Sequence, residues 1–271
     1  MRDRFVIVSG TVLFFFGLCF YFVDILVLWL EDPLPPQFKH LTYISPTEPF
    51  FTAMQISLMG SLFISMPVIL YHLWQFIAPG LKVKEKKITI LFVMFGTFFF
   101  ILGGMFCYFL VLPLGLKFLL MFGSNFGWKM EVTTAFYLGF VVQMILGFAF
   151  AFQTPLIMVL LTKFGVVNTV KMRLYRKWAF LSSFVVAAIL TPSPDVLSQT
   201  LLALPLYGLY ELGVVVSVLV EDPKKRAEVL AQLRAERDAR KARKDAADAA
   251  AAKTARQSVK KDPAKPAPKS A

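Results

Sequence analysis

Charge is scarce in this sequence. Only 17% of its 271 residues are Asp, Glu, Lys or Arg, while 57% are apolar. A soluble domain carries about a quarter charged residues, so a soluble enzyme and a disordered chain are both excluded. Cysteine and histidine are scarcer still, with two of each. Cys19 and Cys107 both fall inside apolar runs and read as small hydrophobes rather than a disulfide, metal site or nucleophile. His40 and His72 are far apart, and His72, between Tyr71 and Leu73, reads as a packed or interfacial residue. No GxxxxGKS/T loop, HExxH pair, GxSxG elbow or CxxC pair occurs. The usual routes to an ATPase, metalloprotease or hydrolase therefore have no residues to stand on. No catalytic residue, metal ligand set or cofactor is expected.

What is present is long uncharged stretches. Phe50–Leu81 runs 32 residues without an Asp, Glu, Lys or Arg, Val132–Thr162 runs 31, and Ile88–Leu116 runs 29. Each exceeds the roughly 20 residues that cross a hydrocarbon core, and none shows the short alternating strands of a membrane β-barrel. Phe5–Val23 supplies a first span, with Ile25–Leu30 as a continuation past Asp24. It is too long and too rich in Phe for a cleaved signal peptide. The segment 31–49, with prolines at 33, 35 and 36, reads as a loop. Trp178–Leu190 and about Val196–Val220 close the set. The expectation is an all-α polytopic membrane protein of six transmembrane helices. The core is residues 1–220, and residues 221–271 form a cytoplasmic tail.

The positive-inside rule orients the bundle. With Met1 cytoplasmic, Arg2, Arg4, Lys82, Lys84, Lys86, Lys87, Lys163, Lys171, Arg173, Arg176 and Lys177 all face inward, eleven of the fourteen core cations. Only Lys39, Lys117 and Lys129 face outward. Both termini are thus expected inside. The tail carries 15 Lys/Arg and 8 Asp/Glu, reading as a solvated charged helix that ends in a disordered, proline-containing stretch. Attraction to anionic lipid or a partner is the second reading.

Span length carries a further message. Trp178 to Leu190 is 13 residues, a rise of only about 20 Å against a core of about 30 Å. The sixth span is also short in uncharged stretches, with Pro205 in its middle and Glu211 beyond it. Pro67, Pro113, Pro155 and Pro205 are each expected to interrupt a helix.

Polar groups at membrane depth are few, and a buried amide or carboxylate needs a partner. Gln153, beside Thr154 and Pro155, either satisfies the backbone carbonyl that the proline frees or offers a polar docking point to another transmembrane helix. Glu211 has the same two readings.

Four segments taken together resemble TatC, the multi-spanning subunit of the twin-arginine protein translocase. They are SPTEPFF (Ser45–Phe51), PVILYHLWQFIAPGL (Pro67–Leu81) before the basic loop KVKEKK, FAFAFQTPLIMV (Phe148–Val159), and TPSPDVLSQTLLALPLYGLYELG (Thr191–Gly213). The resemblance covers about Arg2 to Val220. It implies a receptor in the bacterial inner membrane that binds twin-arginine signal peptides of folded cargo on the cytoplasmic face. It also implies that the receptor organises single-span partner subunits (TatA/TatB type) in a hetero-oligomer driven by the proton-motive force. Nucleic acid is not an expected partner.

On that resemblance Glu85, the only carboxylate of the Lys82–Lys87 loop, is the acidic contact for the arginine pair, since a carboxylate accepts bidentate guanidinium bonds. Phe76 supplies an apolar surface beside it, or is an interfacial anchor with Trp74, and Arg2 and Lys82 complete the signal-binding face. Gln153 stands where the family usually has Glu, keeping hydrogen bonding and giving up charge. Gln153, Thr154 and Glu211 form the partner-helix docking positions, and Pro46, Pro49 and Asp195 shape the outer face. The family usually begins E-L-R-x-R, and Met1-Arg2-Asp3-Arg4-Phe5 matches only R-x-R. A missing N-terminal stretch is the expectation; recognition by Glu85 with Asp3 is the other reading. The rival function, a small-solute secondary transporter, predicts self-similar halves and ionisable groups gathered at the midplane. Neither is seen in the sequence.

Overall fold

A computed structural model describes residues 2–35, 41–77, 86–117, 132–191 and 196–221, with most of 223–243. In lipid no water is at hand for the backbone, and a helix closes each amide–carbonyl pair within its own segment. Among the described residues the chain is accordingly helical, and its β pairing is limited to an isolated bridge between Thr42 and Thr133. The helices are α1 (Arg2–Tyr21), α2 (Val23–Glu31), α3 (Glu48–Ile77), α4 (Lys86–Phe106), α5 (Thr134–Ala151), α6 (Gln153–Lys163), α7 (Thr169–Leu174), α8 (Arg176–Leu190) and α9 (Val196–Val220). A π-helical turn, Cys107–Val111, and an α-helical stretch at 112–117 prolong α4. Residues 226–243 are helical and mostly exposed where described.

Five described segments are long and apolar enough to cross a bilayer: Arg4–Tyr21, Glu48–Gln75, Ile90–Lys117, Thr134–Lys163 and Gln199–Val220. The helix read as a short fifth span begins two residues earlier than Trp178. With 15 residues it rises about 22 Å, still short of a core of about 30 Å.

Irregular turns fall at definite places. Phe22, with φ −103° and ψ 21°, separates α1 from α2, so the first apolar run is two helices rather than one. Phe152 separates α5 from α6, three residues before Pro155, which has no amide to return to the Ala151 carbonyl. Leu112 donates its amide five residues back to Cys107. This widening precedes Pro113, whose missing amide leaves the Phe109 carbonyl without a helical donor. Pro67 and Pro205, also expected to interrupt spans, instead lie inside helices that run on.

Helix α1 packs along α3; α3 and α4 pack on each other and on α5; α9 packs against α6 and α8. The largest fully buried side chains include Trp74, Phe100 and Phe148. Trp74 is therefore a core residue, not an interfacial anchor. Its ring lies 4.7 Å from that of Phe92 on α4 and 5.9 Å from that of Phe164 beyond α6. Aromatic pairs of this kind contribute about 0.5–1.5 kcal/mol each, and they fix the end of α3. Close approach elsewhere depends on glycine: a Cβ on Gly103 would lie 2.7 Å from the Phe148 carbonyl oxygen, so α4 and α5 touch backbone to backbone. Cys19 and Cys107 are both buried and unpaired.

Candidate functional site

At one end of the bundle Arg4 Nη1 donates to the Gln75 carbonyl oxygen at 2.7 Å, tying the start of α1 to the last turn of α3. Phe76 follows directly. Phe76 and Arg2 sit on helical backbone, and their side chains lie outside the described residues. Residues 78–85, which include Lys82 and Glu85, are also outside them. The same end gathers the exposed cations Lys163, Lys171, Arg173, Arg176 and Lys177 around α7. This short helix is secured on both sides. Asn168 Oδ1 accepts from the Val170 amide at 2.8 Å, satisfying one of the free amides that open a helix. The Thr169 hydroxyl donates to Glu221 Oε2, its amide donates to Glu221 Oε1 at 3.3 Å, and Tyr210 OH donates to the Met172 carbonyl oxygen at 2.6 Å. The basic end is thus held rigidly to the end of α9.

Gln153 is buried, and its Nε2 donates at 2.9 Å to the Gly96 carbonyl oxygen on α4. Within this chain its partner is the Gly96 carbonyl rather than that of Ala151, so the amide links α6 to α4. An amide makes this contact as a donor, whereas a carboxylate would have to carry its proton to do the same. Thr154, beside it, is half-buried. Glu211 is paired across helices: its Oε2 accepts from Arg176 Nη2 at 2.7 Å, and its Oε1 accepts from Tyr207 OH at 2.7 Å. Gln153, Thr154 and Glu211 therefore belong to two separate contacts, one joining α4 to α6 and one joining α8 to α9.

The opposite end is sewn by backbone. The Thr42 amide donates to the Val132 carbonyl at 3.1 Å, and the Thr134 amide to the Thr42 carbonyl at 2.8 Å. Tyr108 OH and Tyr137 OH donate to the carbonyls of Trp29 and Leu30 at 2.8 and 3.0 Å. Glu48 is the residue the sequence reading passed over. Its Oε2 accepts from the amides of Ile44 and Ser45 at 2.9 and 3.4 Å, and its Oε1 from the Ala135 amide at 2.8 Å. Helix α5 has no side-chain cap from its own Thr133, so Glu48 caps α5 as well as α3. The signal was present in Ser45-Pro46-Thr47-Glu48, a capping-box spacing with proline in the first turn. Pro46 and Pro49 are exposed at this end, and Asp195 lies outside the described residues. The short α8 is fixed at its far end by Gln143 Nε2 on the Ile189 carbonyl at 2.7 Å and by Gln199 Nε2 on the Phe184 carbonyl at 3.0 Å.

His72 is half-buried, and its Nδ1 has no hydrogen-bond partner among the described residues. Among these residues no group of three or more His, Cys, Asp and Glu gathers to hold a metal ion. The arrangement offers two ends tied by hydrogen bonds and one buried structural amide, Gln153.

Comparison with known proteins agrees with this architecture. The family described as Sec-independent protein translocase protein (TatC) matches residues 1–205. A Sec-independent protein translocase protein TatC of Helicobacter pylori is 37% identical over 228 residues, which is 84% of this chain and 88% of the relative. A second, of Aquifex aeolicus, is 35% identical over 235 residues, 84% of this chain and 95% of the relative. The crystal structure of a twin arginine translocase receptor, TatC, superposes with a TM-score of 0.73 at 36% identity, covering 81% of this chain and 96% of that one.

Proposed function

The chain belongs to the TatC family of Sec-independent protein translocase proteins, and from that premise we propose that it is the receptor and core subunit of a twin-arginine translocase. It lies in the bacterial inner membrane as six spans, α8 being the short fifth, with both termini and the basic end of the bundle cytoplasmic. Twin-arginine signal peptides of folded cargo bind at that end. Glu85 accepts the guanidinium pair, and Phe76 receives the apolar residue that follows. Arg2 and Lys82 complete the face. Single-span partner subunits dock where α8 and α9 carry the Arg176–Glu211 pair and near Gln153 and Thr154, and Pro46, Pro49 and Asp195 shape the outer cap. The proton-motive force drives transport.

One observation carries this reading. The Arg4 bond to the Gln75 carbonyl, 2.7 Å long, joins the chain's first helix to the turn that leads into the Glu85 loop. With Trp74 locked in the core just before it, the loop departs from a fixed point. Glu85 closes that loop directly before α4, and its carboxylate is the group we assign to the guanidinium pair. The name of the superposed structure, a translocase receptor, supports the same role.

Replacing Glu85 by Ala tests it. A twin-arginine signal peptide carrying a photo-crosslinker next to the arginine pair should label the E85A chain several-fold less than the unaltered one, while membrane insertion is unchanged. Undiminished labelling would remove Glu85 from the site.

A further inference from the structure

Helices α4, α6 and α9 line an open groove of about 430 Å³. That volume lies within the roughly 300–1,000 Å³ of small-molecule sites. Leu91, Phe95 and Phe99 recur every four residues along α4, and Leu212, Val216 and Val220 do so along α9. Residues four apart share one face of a helix, so the groove runs parallel to the helix axes, over roughly 12 Å at about 1.5 Å per residue. Leu91, Phe95 and Leu212 are 55%, 48% and 46% exposed, so its walls are bare in this chain. Among the described residues the groove has one charged lining residue, Lys163, at the last position of α6. No carboxylate among the described residues pairs with Lys163. Lys86 and Lys87 open α4 at this same end.

We propose that this groove is a binding site for an anionic phospholipid, its acyl chain lying along α4, α6 and α9 and its phosphate meeting Lys163. The match is in polarity and in direction. An apolar trough parallel to the helices takes a chain that already runs along the membrane normal, and a cation at one end, where the basic residues of the bundle collect, takes the charged head. A lysine ammonium suits phosphate as a point charge and imposes no planar geometry on it. The polar contacts that join spans within this chain are at Gln153 and at Arg176–Glu211, outside the groove lining.

The full chain, purified in detergent, is titrated with phosphatidylglycerol and with phosphatidylcholine bearing the same palmitoyl and oleoyl chains, and bound lipid is counted by native mass spectrometry. Phosphatidylglycerol should be retained preferentially. Lys163→Ala should lower its retention roughly fivefold, and Lys163→Glu should lower it further, to the level of phosphatidylcholine. Val216→Trp, which fills the trough, should lower retention of both lipids. Inorganic phosphate should fail to compete, because it has no chain to bury. Equal retention of the two lipids, or Lys163 variants indistinguishable from the unaltered chain, would overturn the proposal. So would full competition by phosphate, which would mark a bare anion site. Loss of a co-purified single-span helix from Val216→Trp with lipid retention intact would assign the groove to a protein and overturn it equally. Should Val216→Trp fail to fold, Lys163→Glu changes a single exposed side chain and decides the matter alone.

Discussion

Glu48 and Gln153 show how a single side chain in this bundle acts on more than one element. The Glu48 carboxylate accepts from the amides of residues 44 and 45 with one oxygen and from that of Ala135, 87 positions further along the sequence, with the other. Its loss should expose free amides at the start of two helices at once. Glu48→Ala should lower the melting temperature in detergent, and Glu48→Gln, which keeps one acceptor oxygen, should fall between. Hydrogen exchange at the Ala135 and Ser45 amides should accelerate together in Glu48→Ala. Unchanged exchange at Ala135 would show that α5 is capped some other way. Half of this arrangement was legible in the sequence. The Ser-Pro-Thr-Glu spacing announces the cap of α3, but nothing local announces Ala135, because that contact exists only once two distant spans have packed. Gln153 was hidden for the same reason. Its burial was readable from the apolar run around it, whereas its partner, the Gly96 carbonyl, lies 57 positions away.

At the scale of elements, hydropathy located the spans well and their internal breaks poorly. An uncharged run fixes where lipid begins and ends, and the long described segments coincide with such runs. The turn at Phe22 and the continuity of α3 and α9 through their prolines depend instead on which neighbouring helix packs against each face. Glycine contacts decide that packing. At Gly103 an added Cβ meets backbone, the Phe148 oxygen at 2.7 Å and the Ala149 Cα at 2.9 Å; at Gly147 it meets the Leu190 side chain. Overpacking a tight contact costs about 1–3 kcal/mol. Both Gly→Ala changes should therefore lower thermal stability in detergent, Gly103→Ala the more, since only a shift of α4 against α5 relieves it. Adding Leu190→Ala should recover part of the Gly147→Ala loss and none of the Gly103→Ala loss. Equal rescue of the two would mean that α4 and α5 are not in backbone contact. The Gly147 contact also holds the end of α8, the helix too short to span a full hydrocarbon core, at a set depth beside α5.

For the whole molecule, the uneven distribution of charge is what predicts an orientation for the bundle. Lys163, Lys171, Arg173, Arg176 and Lys177 share one end with Arg4, and Thr42, Glu48 and Thr133 share the other. In the cell the first end should face the cytoplasm. Both native cysteines are buried, so replacing Cys19 and Cys107 by Ala removes two small core side chains and leaves the exposed surface unchanged for labelling. In that background Lys171→Cys should be protected from a membrane-impermeant maleimide added to intact cells and labelled in inverted vesicles, and Tyr43→Cys should behave in the opposite way. A reversed pattern would put the Glu85 loop on the side where no unexported cargo exists, and the receptor reading would fall with it. The tail beyond Val220, with its +7, would add to the same bias, and the expected orientation does not require it. In the core alone, eleven of the fourteen cations fall on the side the positive-inside rule makes cytoplasmic. Deleting residues 222–271 should therefore leave the labelling pattern unchanged, and, on the proposed function, also the crosslinking of a twin-arginine signal, because Glu221, the first residue of the tail, is kept and holds Thr169 at the basic end.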